Sequence, residues 1–254
     1  MTSASQRGLP GTRPEGARDE QEAAAHIREM FGRIAPRYDL LNHLLSLDID
    51  KIWRRRVAKK FRAILRDENA RVLDLCCGTG DMTFALGRRA NSQSPQIIGA
   101  DFSHAMLQRA AEKGRDTTLR WIEADALRLP FPDAHFDLIT AAFGFRNLAD
   151  YDAGLREIVR VLRPGGECGI LDFGEPRGLM GTVYRVYFKR VLPAVGTLIS
   201  GVRGPYAYLP ASVERFPAPQ EMLERMRQAG FGEASWTPYT FGVAGLYRGV
   251  KRTS

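Results

Sequence analysis

The chain has 254 residues, 44% of them hydrophobic and 26% charged, which suits one large soluble domain with additions rather than a fibrous or low-complexity protein. No window reaches the roughly 18 apolar residues of a membrane span. The net charge of +8 is local, because residues 51–66 hold eight basic side chains and no acidic one, leaving the rest of the chain neutral.

The opening, "MTSASQRGLPGTRPEGARDE", has no apolar core of the kind a signal peptide needs, and residues 1–20 are expected to be a disordered tail. Residues 21–69 read as a helical N-terminal cap to a single domain over 21–254. Within it, Trp53, Val57, Phe61, Ile64 and Leu65 recur at helical spacing, with most of the basic residues on the opposite face. Two readings stay open for that basic face: simple solvation, or contact with an anionic lipid surface. Residues 70–175 read as the ligand-binding core. The run "VLDL" is a buried strand that breaks at Cys76-Cys77 and Gly78-Thr79-Gly80 and passes into a helix over 82–89. "QIIGAD" is a second strand, "HAMLQRAAEKG" a helix closed by glycine, and "TLRWIEAD" and "FDLITAAF" are further strands. A helix over 151–162 stops at "RPGG", and "ECGILDF" is the fifth strand.

Residues 176–215 carry no acidic residue through position 213 and are rich in Tyr, Phe, Val and Leu, as an insertion forming apolar walls would be. Residues 216–254 supply a helix over 219–229 and two closing strands near 234–239 and 242–250, whose short link makes them antiparallel. Strands alternating with helical crossovers imply a mostly parallel, doubly wound α/β sheet. Seven strands with an antiparallel last strand is the class I S-adenosylmethionine-dependent methyltransferase variant of that fold. Three cysteines without CxxC spacing and four histidines without an HxxxH pair predict neither a disulfide framework nor a metal site.

The dinucleotide fingerprint wants a third glycine, where this chain has Thr83, and Asp81 would repel a diphosphate at the helix N-terminus. Both features weaken an NAD-linked oxidoreductase. S-adenosylmethionine fits instead, since it carries a sulfonium, an ammonium and no phosphate. Asp101 ends the second strand, where a carboxylate accepts ribose hydroxyls; the alternative is a helix cap. Asp125 and Ala126 end the third strand, an acid and a small residue suited to adenine. Asp74 ends the first strand, positioned to organise the turn or to attract the ammonium. Gly78, Thr79 and Gly80 form the turn itself.

These residues and "MFGRIAPRYDLLNHLLS", "VLDLCCGTGD", "ADALRLPFPDAHFD", "FGFRNLADYDAGLREIVRVLRPGG", "YLPASVERFP" and "GLYRGVKR" resemble the ubiquinone/menaquinone biosynthesis C-methyltransferases over about residues 30–251. The first motif and "FGFRN" are the specific ones. The chain departs from the family's usual pattern at Asp50 and Tyr247, where histidine is usual, at Asp172-Phe173-Gly174 in place of E-x-S, and at Ala142 in place of serine. The resemblance implies methyl transfer from S-adenosylmethionine to a ring carbon of a prenylated quinol, foremost demethylmenaquinol to menaquinol. A polyprenyl benzoquinol of ubiquinone biosynthesis, or another small molecule, is the alternative acceptor. It places Ala142 among the cofactor-contacting positions, and Tyr38 and Asn42 over the site, where they could bond quinol oxygens. Arg146, with Asn147 beside it, is the expected catalytic pair, the cation stabilising the quinolate; a loop ion pair plus a turn amide is the alternative. The implied setting is the cytoplasm, with peripheral contact at the inner face of the cell membrane. No "NPPY"-like motif follows the fourth strand, which disfavours a nucleic-acid substrate.

Overall fold

The computed structural model describes residues 20–35, 48–90, 96–174 and 205–253, with positions 11, 39, 46 and 176. Its centre is set by two strands that cannot face water. Strand β1 (Arg71–Leu75) buries every residue after the first, and β4 (Phe136–Ala142) buries all but its last. Both faces of such strands must be covered, which parallel pairing with helical crossovers achieves. Around them lie β2 (Gln96–Asp101), β3 (Arg120–Glu123), β5 (Leu162–Phe173), β6 (Phe231–Tyr239) and β7 (Ala244–Lys251), in the order β3-β2-β1-β4-β5-β7-β6. Strand β7 runs antiparallel to both its neighbours and the rest pair parallel. This is the seven-stranded class I methyltransferase arrangement expected from the sequence. The strand order reverses between β1 and β4, which opens a crevice at their carboxyl ends.

Period-two alternation sends neighbouring residues of one strand to opposite layers. Leu73 and Leu75 join Ile139, Leu155, Met222 and Phe231 on one side, where helices α6 (Tyr151–Val161) and α8 (Pro219–Ala229) pack. Val72 and Leu138 join Trp53, Val57, Leu86 and Leu246 on the other, under α2 (Ile49–Lys60) and α4 (Asp81–Gly87). Each fully buried aliphatic side chain contributes about 1.5–3 kcal/mol. The N-terminal region also supplies α1 (Glu20–Ile34) and the short α3 (Arg62–Leu65). The remaining helices are α5 (His104–Lys113) and α7 (Pro205–Arg215).

The apolar stripe of α2 is on the core, and its exposed face carries Lys51, Arg55, Lys59 and Lys60. Trp53 donates its Nε1 hydrogen to Thr240 Oγ1 at 2.9 Å and packs its ring on Phe143 and Phe173. That anchors α2 above the carboxyl ends of β4 and β5. Two boundaries differ from expectation. The expected third strand over 118–125 is only four residues long, because Asp125 turns into an isolated bridge with Arg128. Strand β5 begins at Leu162, opposite Phe136, and the "RPGG" stretch is a bulge within it, with Gly165 at φ 74°. Most of the expected insertion over 176–215 and the tail over 1–20 lie outside the described residues.

Candidate functional site

At the crevice, β1 and β4 end in backbone that glycine would adopt more readily. Cys76 has φ 53° and Phe143 φ 61°, and such left-handed positions cluster where ligands bind. The two turns then cross closely, since a Cβ on Gly144 would stand 2.3 Å from Cys76 Cβ. Gly78 (φ 55°) and Gly80 (φ 87°) complete the turn into α4, and a Cβ on Gly80 would also meet the Trp121 ring at 2.5 Å. Glycine at position 80 is therefore required on both counts.

The cavity beneath these turns has a volume of about 360 Å³, within the range of small-molecule sites. One acid comes from each of three neighbouring strand ends. Asp101, at the end of β2, accepts from the Gly78 and Ser103 amides, both at 2.9 Å. Asp74, in β1, accepts from the hydroxyls of Thr83 at 2.6 Å and Thr140 at 2.8 Å. Burial dominates both environments and raises each carboxyl from 3.8 to about 6. Asp125, after β3, is exposed and accepts from the Leu127 amide at 2.9 Å. Desolvation also pushes the thiols of the half-buried Cys76 and the buried Cys77 well above their ordinary value, which disfavours a nucleophilic role for either.

This donor and acceptor set fits S-adenosylmethionine. The wall offers carboxylates to hydroxyls and cations, and the N-terminus of α4 is occupied by Asp81, whose carboxylate pairs with Lys113 at 2.8 Å. A phosphate would find an anion there. Among the described residues, no group of three or more His, Cys, Asp or Glu could hold a metal ion.

Comparison with known proteins agrees with that chemistry. Residues 18–251 match the ubiE/COQ5 methyltransferase family. The chain belongs to this family. The demethylmenaquinone methyltransferase of Deinococcus radiodurans is 48% identical over 237 residues, covering 92% of this chain and 96% of that protein. Its namesake in Thermus thermophilus is 51% identical over 223 residues, covering 87% and 99%. Among solved structures, an S-adenosylmethionine-dependent methyltransferase of Thermotoga maritima, a possible histamine N-methyltransferase, is similar with a TM-score of 0.63 at 19% identity. It covers 89% of this chain and 100% of its own, a likeness of fold alone.

In this ubiE/COQ5 family member, Asp74, Gly78, Thr79, Asp101, Asp125, Ala126, Ala142 and Asn147 all line the cavity. Gly80 shapes the turn without lining it. Thr79 turns its hydroxyl to Asp39, and Lys113 bonds both Asp39 Oδ2 at 2.8 Å and Thr79 Oγ1 at 3.3 Å. Tyr38 and Asn42 lie outside the described residues. Arg146, expected as a catalytic residue, is not among the described residues that line the cavity and is only 5% exposed. Its guanidinium bonds the Phe143 carbonyl, Asp172 Oδ1 at 3.1 Å and Ser212 Oγ at 3.3 Å, and stacks over Phe173. A guanidinium taken out of water needs a carboxylate partner, and the fully buried Asp172 supplies it. Sequence reasoning noted Asp172 only as a departure from a family motif. It also missed Arg54, counted there as one more surface charge; the only sign was its spacing of four from Asp50 on a helix.

Proposed function

We propose that this chain transfers the methyl group of S-adenosylmethionine to a ring carbon of a prenylated quinol, with demethylmenaquinol as the foremost acceptor. The observation that carries this reading is the row of acids, Asp74, Asp101 and Asp125, at or near the ends of three adjacent strands around one cavity. Two relatives about half identical along nearly their whole length, both named demethylmenaquinone methyltransferases, support the acceptor class.

The cofactor, when bound, supplies an electrophilic methyl on a sulfonium. Asp101 takes the ribose hydroxyls, and Asp125 with Ala126 the adenine edge. Asp74 holds a negative charge for the ammonium, oriented by its two threonine hydroxyls; a charge pair at about 4 Å contributes roughly 4 kcal/mol at an effective dielectric of 20. Asn147 stands on the cavity wall beyond β4 and offers an amide to a quinol oxygen. Ionising a phenol-like hydroxyl of pKa about 10 at pH 7 costs roughly 4 kcal/mol, so hydrogen bonds to the developing anion matter. Arg146 acts as a positioning residue, tying the β4 turn that carries Ala142 and Asn147 to β5 and α7. Tyr38 and Asn42 remain assigned to the quinol by family resemblance.

A prenylated acceptor resides in a membrane, and no helix among the described residues is long and apolar enough to cross one. The exposed face of α2, with Arg55, Lys59, Lys60 and Ile52 (48% exposed), supports peripheral docking on anionic lipid at the cytoplasmic face. Each basic residue near such a surface contributes about 1 kcal/mol. The deciding assay incubates the chain with S-adenosylmethionine and either reduced demethylnaphthoquinone or its benzoquinol counterpart, and reads one added methyl by mass. Methylation of the naphthoquinol is expected; binding of NADH in place of S-adenosylmethionine would overturn the reading. Flotation should favour anionic over neutral vesicles, and equal recovery at low salt would remove the docking face.

A further inference from the structure

The basic run over 51–66 contains one residue unlike the others. Arg54 is buried, at 7% exposure, whereas Lys51, Arg55, Arg56, Lys59, Lys60, Arg62 and Arg66 are exposed. It lines the cavity from α2. Its Nη1 pairs with Asp50, itself buried and held by the Ser46 hydroxyl at 2.5 Å, so the guanidinium is braced from behind. Its Nε, buried, has no hydrogen-bond partner among the described residues. Leaving such a donor unmatched is costly, which favours a partner that arrives with the ligand.

The order of the strands says which part of the ligand that is. Adenine belongs at β3, with Asp125 and Ala126, and ribose at β2, with Asp101. The amino-acid end then falls at β1 and β4. Arg54 sits there, its guanidinium carbon 5.1 Å from the centre of the Phe143 ring and its charge favouring ionisation of Asp74. An amino acid carries one ammonium and one carboxylate; Asp74 answers the first. Among the described residues, Arg28 is the other cation on the wall, but it is exposed and lies over Phe102 beside Asp101, at the far end.

We propose that Arg54, through the edge of its guanidinium that Asp50 does not hold, binds the α-carboxylate of the cofactor's amino-acid end, with Asp50 as its positioning partner. The planar fork of arginine matches a carboxylate in two parallel hydrogen bonds, a geometry that lysine cannot reproduce. This deepens the reading of the cavity as an S-adenosylmethionine site and rests on it.

The test measures binding by calorimetry, using the whole chain and two ligands: S-adenosylmethionine, and its decarboxylated analogue, which keeps the sulfonium and the amine. The wild-type chain should prefer the carboxylated form at least tenfold. Arg54→Met should lose tenfold or more for that form and change less than about twofold for the analogue, abolishing the preference. Because Arg54→Met strands Asp50, the double variant D50N/R54M, which removes both charges of the pair, is measured beside it and should show the same loss. A preference that survives in the double variant overturns the proposal. So does an unchanged affinity accompanied by slower methylation of the quinol, since Arg54 would then serve the acceptor. If the wild-type chain binds neither ligand, the cofactor reading itself fails; if it binds both equally, only the role of Arg54 does.

Discussion

Replacing Asp74 with asparagine should make the unliganded protein more stable while weakening its hold on the cofactor. Asp74 is wholly buried and its carboxyl is raised from 3.8 to about 6, burial outweighing the hydroxyls of Thr83 and Thr140 and the charge of Arg54. At pH 7 the folded protein therefore holds an ionised carboxylate that would rather be neutral, at a cost of about 3 kcal/mol. The sign follows from linkage. An acid whose folded-state value is raised stabilises the fold below pH 3.8, where it is protonated in both states, and that contribution is lost as pH rises through 6. About 1.3 kcal/mol of it returns between pH 7 and pH 5. Asparagine is neutral throughout, and both threonine hydroxyls can turn to donate to its oxygen or accept from its nitrogen. Allowing for imperfect hydrogen bonds and for Arg54 losing an opposite charge, D74N should exceed the wild type by about 1–3 kcal/mol at pH 7, with the advantage shrinking towards pH 5. Urea titrations without ligand at the two pH values measure this, and calorimetry with S-adenosylmethionine should show at least a tenfold loss of affinity. A variant less stable than wild type at pH 7, or an advantage that does not change with pH, would refute the idea that burial keeps this carboxylate under strain until a cation arrives.

The ion pair of Arg146 predicts that R146A unfolds about 3–5 kcal/mol more easily, because Asp172 is left as an unpaired buried charge. Urea denaturation checks this, and an unchanged midpoint with collapsed turnover would return Arg146 to a direct catalytic role. Gly144→Ala should cost about 1–3 kcal/mol and weaken cofactor binding, since its methyl would meet the Cys76 side chain on the cavity wall. The second-site change Cys76→Gly removes that side chain and suits the positive φ there, so it should recover much of the loss; failure to do so in thermal melts would point to a different clash.

Much of the site was legible because of where strands stop. A buried strand with an acid at or next to its last position, as in "VLDL" and "QIIGAD", displays that acid near the sheet's carboxyl edge wherever the helices go, and Asp74, Asp101 and Asp125 do line one cavity. Asn147 and Ala142 followed from a motif placed after β4. Arg146 did not, because neither the motif nor its spacing says which way a guanidinium turns. Its direction depends on Asp172 in β5 and Ser212 in α7, 26 and 66 residues away. Arg54 was hidden for the opposite reason: seven exposed neighbours of like charge made its own burial invisible.

By itself, then, the chain's alternating pattern determined a parallel sheet with an antiparallel closing hairpin, and its glycine turn and acids determined the class of ligand. Those are local properties, set by side-chain period, backbone freedom and charge along short stretches. Which cations face the ligand and which brace the frame was decided only by tertiary structure, because burying a guanidinium depends on a carboxylate that the fold brings to it from another strand or another turn of helix.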